Sequence, residues 1–546
     1  MSDLIIRGPK RTIETPSKGF GQYIFERADE LGDKICQIDG NTDEIETYAQ
    51  VKSRSTKVAL GKQQLGFKPK EIAFLCCKSG INNITLVLAT LYLGGYVSSA
   101  NPKQSTSEIR YLMSLVKPKM NFVDQESVEL IHHSLVGLDL TPCIIVIGNS
   151  DKYTLKSLEK IYDEEKFFRP VPQKLADIAF IMFSSGTTSS PKGIYVTNKY
   201  LLDRGMMTLE NADTSKPGVI MHFTSFYWIS AWFMTSAAIA TGSAKVVGSG
   251  ISAEKCLYLV EKYKVTFISM SNSYTYEITS LSKELIEKYD TSSLLSIAVV
   301  GSPAHPAQIS KLRQLLPYTH VCMGYGSTET NSITYFDYTD QEAYKNKIQS
   351  SGTLRPGVEL KIIDLTTGHL LGHNQEGEIR IRSPSSMSGY HNLDTNAAFD
   401  EDGFLKIGDL GYYDQDHYVY VTGRVNDTFK YQTNQIIPSV IENVIVPHPA
   451  VVETVAFGVK HLVDNNHPGA LVVLQPMSEV DAKELMVYTN ERVSNSHRLR
   501  AGILVVNDIP KTPTGKIQRR TIKEMLNKMF SLQNFNTAFH SVNCKS

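Results

Sequence analysis

The stretch Ala176-Asp177-Ile178-Ala179-Phe180-Ile181-Met182-Phe183 is followed by Ser184-Ser185-Gly186-Thr187-Thr188-Ser189-Ser190-Pro191-Lys192-Gly193 and then by Ile194-Tyr195-Val196. An apolar run, a loop of hydroxyls, glycines and one lysine, and a second apolar run read as two buried strands joined by a polar loop. Small residues let backbone N–H groups close around an anion, and hydroxyls and an ammonium add further donors. A triphosphate suits such a loop. It is not a Walker loop, because Pro191 stands at the second glycine position and Gly193 follows the lysine where Ser or Thr belongs. Taken alone, the segment also reads as a flexible Gly/Ser-type surface loop.

Outward from this loop the chain alternates strand-like and helix-like pieces. Ile72 to Cys77 reads as a short buried strand, and Ile84 to Leu93 as a helix stopped by Gly94-Gly95. The alternation resumes at Ala298-Val299-Val300 and at Gln308 to Leu316, which favours an α/β protein with largely buried sheets. From about Gly352 the texture changes. Val358 to Ile363, Gly377 to Ile381 and Tyr418 to Val421 look like short strands of a β-rich subdomain. After Gly423-Arg424 a compact α/β unit begins, with apolar runs at Val451 to Val459, Ala470 to Leu474 and Ile503 to Val506. The expected division is residues 1–423 and 424–546: a large domain of β-sheets flanked by helices, and a small mobile one.

Composition agrees with a large soluble fold. The chain has 546 residues, 42% hydrophobic and 21% charged, which fits several ordinary domains and argues against disorder or fibres. Fifty-six basic residues balance fifty-six acidic ones, so no long-range field draws nucleic acid or anionic lipid. Seven scattered cysteines include no CxxC pair, which speaks for reduced thiols rather than a disulfide framework or zinc. Between Lys216 and Lys245 there is no Asp, Glu, Lys or Arg, yet the Ser, Thr and Gly content reads as buried core rather than a membrane span. The start, Met1 to Arg11, carries no secretory signature. The tail Cys544-Lys545-Ser546 is not the Ser-Lys-Leu peroxisomal address. Cytoplasm is the expected compartment, with a peroxisomal one as the alternative.

Three further segments carry chemistry. Gly324-Tyr325-Gly326-Ser327-Thr328-Glu329-Thr330 combines close backbone approach, a stacking face and a carboxylate suited to magnesium, or is a tight turn with a surface acid. Asp409, in Ile407-Gly408-Asp409-Leu410-Gly411-Tyr412, can accept from two ribose hydroxyls with Arg424 in support, or sit in a surface ion pair. Pro510 to Arg520, shaped by two prolines and one glycine, is a solvated basic loop or one that delivers Lys516 to an anionic centre.

In this order and at these separations the four segments resemble the adenylate-forming superfamily, over about Gly19 to Arg520. The nearest resemblance is to luciferase-like and 4-coumarate–CoA ligase-like acyl-CoA synthetases. Gly94-Gly95, Ala100-Asn101-Pro102, Gly301-Ser302-Pro303, Gly389-Tyr390 and Asp402-Gly403 add to it. The resemblance implies that Ser184, Ser185, Gly186, Thr187, Thr188 and Lys192 cradle the ATP phosphates. It puts Tyr325 on adenine, Thr328 at the α-phosphate, Mg²⁺ on Glu329, and Asp409 and Arg424 on the ribose, and adds Gln435 to the cofactor-binding set. Lys516 would serve adenylation. After rotation about a hinge at Asn426, Lys430 would come in for attack by CoA. The implied partners are a carboxylic acid, ATP and CoA, in a monomer or weak homo-oligomer.

The chain also departs from that pattern. Ser189 replaces a glycine, Asn198 a histidine and Ile407 a threonine; Val440 replaces a glutamate, leaving Pro438 and Glu442. Thr433 stands for glycine on the pantetheine path, where a β-branched residue narrows the channel or bars positive φ. Adenylation is therefore better supported than thioester formation. The expected acyl pocket lies near Phe226, Tyr227, Trp228, Gly301, Ser302, Pro303, Met323 and Gly324, and a medium- or long-chain fatty acid is the first choice. Core packing explains the aromatics equally well. A catalytically impaired binding homologue and a luciferase-type oxygenase are the competing readings.

Overall fold

The computed structural model describes residues 4–150, 152–160, 162–184, 191–210, 215–302, 304–337, 339–432, 434–461, 463–511 and 517–531. The fold is α/β, as the alternation requires, and four large sheets organise it.

One seven-stranded sheet runs Gly389–Tyr390, Gly193–Thr197, Ile178–Phe183, Tyr96–Ser99, Ile72–Cys76, Met120–Asp124, Cys143–Ile147 in spatial order. The second runs His320–Met323, Ser296–Val300, Phe267–Ser271, Val219–His222, Ala244–Val247, Ile35–Asp39, Ile45–Thr47. Both are mainly parallel, with helices on their faces. Residues buried on both sides explain the near-continuous apolar runs: five of the six residues of Ile178–Phe183 are buried.

The helices form for local reasons as well. Thr106–Val116 opens on a reciprocal cap between Ser105 and Glu108, worth about 1 kcal/mol. It buries Ile109, Leu112, Met113 and Val116, one stripe at helical spacing. Asn82–Tyr92 ends where expected, with Gly94 at φ +69°.

The charge-free stretch beyond Lys216 is core, in three pieces: strand Val219–His222, helix Ile229–Thr241 and strand Ala244–Val247. Phe226 and Phe180 pack on Trp232 with ring centroids 4.1 and 4.3 Å away, and the Trp232 indole N–H donates to the Phe226 carbonyl at 3.2 Å. Among the described residues no helix is long and apolar enough to cross a membrane.

The third sheet is antiparallel: Ile6–Arg7, Glu359–Ile363, Gly377–Arg382, Leu405–Tyr413 and Val419–Arg424, with Leu370–Leu371 at one side. Its first strand comes from the start of the chain, which the sequence reading missed because two residues carry no periodicity. The fourth sheet holds Asn434–Ile436, Phe429–Tyr431, Asn465–Leu474, Val451–His461 and Gly502–Val505. Its period-two pattern feeds two separate cores. Ala456, Ala470 and Val472 face one, while Val455 and Leu471 face the other.

Candidate active site

The functional segments gather at the C-terminal ends of parallel strands, where open α/β sheets bind ligands. Strand Ser296–Val300 runs into Gly301-Ser302, and His320–Met323 into Gly324-Tyr325. Between them and the fourth sheet lies a cavity of about 1830 Å³, and Ser184, Lys192, Tyr325, Thr328, Glu329, Asp409 and Arg424 all line it.

Lys192 and Ser184 form the neck of the first loop. The Ser184 N–H donates to the Lys192 carbonyl at 3.0 Å, closing the Phe183–Gly193 pair of the hairpin. Ser185, Gly186, Thr187 and Thr188 lie outside the described residues, as do Lys516, Pro303, Thr433 and Ser189. The strand after the neck leads into helix Asn198–Leu209, whose Tyr200 hydroxyl donates to the Thr328 carbonyl at 3.1 Å. That helix therefore couples the first loop to the second.

The second loop is braced from within. The Glu329 N–H donates to Ser327 Oγ at 3.2 Å, and the Glu329 carbonyl accepts from the Met387 N–H at 2.8 Å. Burial and the Glu329 carboxylate push the Tyr390 phenol up to about 12. The ammonium of Lys192 lies 5.2 Å from the centre of the same ring. A cation and a carboxylate thus flank Tyr390 at the cavity wall.

Asp409 is placed by a bulge. Ile379 faces Asp409, while the next residue, Arg380, faces Lys406, so Ile407 and Gly408 are extra on their strand. Gly408 takes φ +73°, a conformation that side-chain-bearing residues rarely adopt. One Asp409 oxygen accepts from the Tyr325 hydroxyl at 2.8 Å, and the other meets Arg424 Nε at 2.7 Å. Burial first and Asp409 second hold the Tyr325 phenol well above its ordinary pKa. Arg424 loses solvation, but Asp409 and its other acidic neighbours more than offset this and keep its pKa raised. A carboxylate offers about four lone-pair positions, so Asp409 can serve several donors at once.

Lys430 and Gln435 pair across facing strands, are exposed, and are not part of the cavity lining. The expected acyl wall needs correction. Trp228, Gly301, Ser302, Met323 and Gly324 line the cavity, whereas Phe226 and Tyr227 are buried in separate apolar cores. Phe226 spends its ring on Trp232, and Tyr227 shares its cluster with Phe74. Asn198, the departure from histidine, is a structural staple. Its carbonyl oxygen accepts from the Phe20 N–H at 2.8 Å, and its amide donates to the Asp177 carbonyl at 3.0 Å.

Sequence reasoning passed over three arginines. Arg204 is 7% exposed and lines the cavity, and its Nε and Nη1 are buried without a hydrogen-bond partner among the described residues. Arg355 lines it too, and burial pushes its pKa down to about 10. Arg519 joins Asp427 at 3.2 Å and Glu442 at 2.6 Å, and donates to the Ala456 carbonyl at 2.9 Å. Arg204 and Arg355 stand alone at ordinary spacing and give no signal, and Arg519 reads only as part of the basic segment Pro510 to Arg520; the fold brings all three to one cleft.

The AMP-binding enzyme profile matches residues 24–391, and the profile of that family's C-terminal domain matches 440–516. The chain belongs to the AMP-binding enzyme family. It is 28% identical to a 4-coumarate–CoA ligase of Pinus taeda over 525 residues, covering 92% of this chain and 94% of that protein. It is 29% identical to a luciferin 4-monooxygenase of Luciola mingrelica, covering 88% and 90%. Among solved structures, the luciferase-like enzyme from the nonluminescent Zophobas morio mealworm is 36% identical with a TM-score of 0.74. That match covers 77% of this chain and 99% of the mealworm chain. In this AMP-binding enzyme the four segments that gave the sequence resemblance each have described residues on the cavity wall, among them Ser184, Lys192, Glu329, Asp409 and Lys511.

Proposed function

We propose that the chain activates a carboxylic acid with ATP and then transfers the acyl group to CoA. In the first step a carboxylate oxygen attacks the α-phosphorus, a P–O bond forms, and the bond to pyrophosphate breaks. In the second, CoA thiolate attacks the acyl carbon and AMP leaves. The observation that carries the reading is the meeting of Lys192, Thr328, Glu329, Asp409 and Arg424 in one cavity.

Both reactants are anions, so the first step needs positive charge and fixed geometry. Lys192 and the neighbouring phosphate loop would hold the β- and γ-phosphates, with Thr328 at the α-phosphate. Asp409, already oriented by Tyr325 and Arg424, would accept from the ribose hydroxyls. Glu329 fits a magnesium site, because Mg²⁺ is commonly held by one or two carboxylates together with substrate phosphates. When bound, Mg²⁺ would offset phosphate charge.

Residues 1–423 and 424–546 would act as two domains, hinged at Asn426. Lys516 would serve adenylation, and rotation would exchange it for Lys430, with Gln435 on the paired strand. The exposure of Lys430 away from the cavity accords with an exchange of this kind.

For the acid, Trp228, Phe233 and Met234 give part of the cavity an apolar wall. A medium- or long-chain fatty acid is our first assignment, and an aryl acid is the alternative suggested by the plant ligase relative. A second reading, adenylation without thioester formation, is motivated by Thr433. The mealworm enzyme and the luciferin monooxygenase keep an oxygenase within the same test.

The test is pyrophosphate release with Mg-ATP and a panel of fatty and aryl acids, each with and without CoA. Acid-dependent release that rises with CoA and yields AMP is expected. Release indifferent to CoA supports the second reading, and light or oxygen uptake with an adenylated acid supports the oxygenase. Silence across the panel refutes the proposal.

A further inference from the structure

The hairpin joining Val451–His461 to Asn465–Leu474 carries three side chains that the proposed reaction does not use. One ligand atom from each of His461, Asp464 and His467 lies within 4.8 Å of the other two. His467 Nε2 is 2.8 Å and His461 Nδ1 3.5 Å from the same carboxylate oxygen, Asp464 Oδ2. The two imidazole rings stack with centroids 3.9 Å apart and planes 18° from parallel. Asp464 N–H donates to His461 Nδ1 at 3.2 Å, so that nitrogen accepts through its lone pair and carries no hydrogen.

The carboxylate is also held from behind. Its other oxygen accepts from Gln432 Nε2 at 2.9 Å, and the Gln432 N–H donates to the Asp464 carbonyl at 2.7 Å. Outer partners of this kind orient the ligands of metal sites.

We propose that His461, Asp464 and His467 bind one divalent transition-metal ion of the zinc type. Two imidazole nitrogens and one carboxylate oxygen form a donor set suited to such ions, with water in the remaining position. Bonds of about 2.0–2.1 Å in a tetrahedral arrangement put ligand atoms about 3.3 Å apart, and the two observed separations straddle that value. The side chains are 36%, 20% and 24% exposed, so an ion can enter from solvent and keep a water. On binding, one ring turns out of the stack so that both lone pairs converge on the ion, the His467 ring hydrogen moves to Nδ1, and the bond from Asp464 N–H to His461 is given up.

The ion would stiffen the support of the Lys430 strand. Asn465 donates to the Gln432 carbonyl and Asn466 to the Lys430 carbonyl, both at 2.9 Å, so the hairpin tip and that strand are already joined. The site itself is independent of the proposed reaction.

The full chain, stripped with a chelator and dialysed, would be titrated with zinc chloride by calorimetry and with cobalt chloride by visible absorption. One equivalent should bind, raise the melting temperature, and give a cobalt spectrum without a thiolate charge-transfer band. His467→Ala and His461→Ala, first shown to melt as the metal-free wild type does, should lose that equivalent. Gln432→Ala should weaken it about tenfold. No stoichiometric uptake, uptake unchanged in His467→Ala, or a thiolate band would overturn the assignment.

Discussion

Two arginines face the same cavity under opposite conditions. Arg424 reaches a carboxylate at 2.7 Å, and that carboxylate also takes a tyrosine hydroxyl. Arg204 is buried beside Phe233, with its guanidinium carbon 5.4 Å from the ring centroid, and two of its nitrogens have no hydrogen-bond partner among the described residues. Burial and the like charge of Arg355 hold the Arg204 pKa well below the usual range. A paired charge pre-organises a site. An unpaired one costs stability until an anion arrives, and both substrates of an adenylating enzyme are anions. The difference separates a corner built for shape from a wall built for charge.

The comparison breaks most visibly at Asp409. Asp409→Ala strands Arg424 and the Tyr325 hydroxyl together. Breaking a buried pair typically costs about 3–5 kcal/mol, and the 40% exposure of Arg424 reduces this to about 3. Urea unfolding measures it, and an unchanged midpoint would mean that the corner is not a stabilising unit. Arg204→Met should move the other way. Desolvating a lone cation costs several kcal/mol, while the aromatic contact returns about 0.5–2. The variant should therefore be about 2 kcal/mol more stable, with KM for the acid or ATP raised severalfold. A destabilised Arg204→Met would show that the guanidinium is paired after all.

Much of this fold was legible because burial on both faces writes itself as apolar runs. Ile178–Phe183 and the runs of the fourth sheet sit where the pattern put them. The site was legible for a different reason: glycine, hydroxyl and acid residues cluster in short loops, as at Tyr325 to Glu329. What stayed hidden needed three dimensions. No spacing links Arg519 to Asp427 or pairs Ile6–Arg7 with Glu359–Leu360. Nor could sequence divide the aromatics, since Trp228 on the cavity wall and Phe226 in the core read alike.

His222 extends the comparison to a group buried in neutral form. It ends a central strand, is 1% exposed, and burial together with Lys245 pushes its imidazole down to about 3. The unfolded chain binds this proton near pH 6.5, whereas the folded chain does not until about pH 3. Unfolding therefore takes up a proton across that window. The contribution is fully present above about pH 6.5 and is lost as pH falls, by about 1.4 kcal/mol per pH unit. Stability curves from pH 7 to 4 should be flatter in His222→Gln by that slope. Equal slopes would place the acid sensitivity in the carboxylates.

The smallest effect expected is at Arg519, where the pairing is shared rather than single. Its guanidinium spans Asp427, Glu442 and the Ala456 carbonyl, a fork that one ammonium cannot reproduce. Burial raises the Asp427 pKa, while Arg519 and Arg424 draw it back. Arg519→Lys keeps the charge and loses the fork, so it should cost about 1 kcal/mol, a hydrogen bond or two. Because Asp427 adjoins the proposed hinge at Asn426, the same variant should alter the ratio of pyrophosphate release to CoA transfer more than it alters KM for ATP. If both half-reactions fall equally, Arg519 supports the fold alone; if only their ratio moves, the contact that joins the start of helix Arg519–Ser531 to the hinge governs how often the two halves exchange.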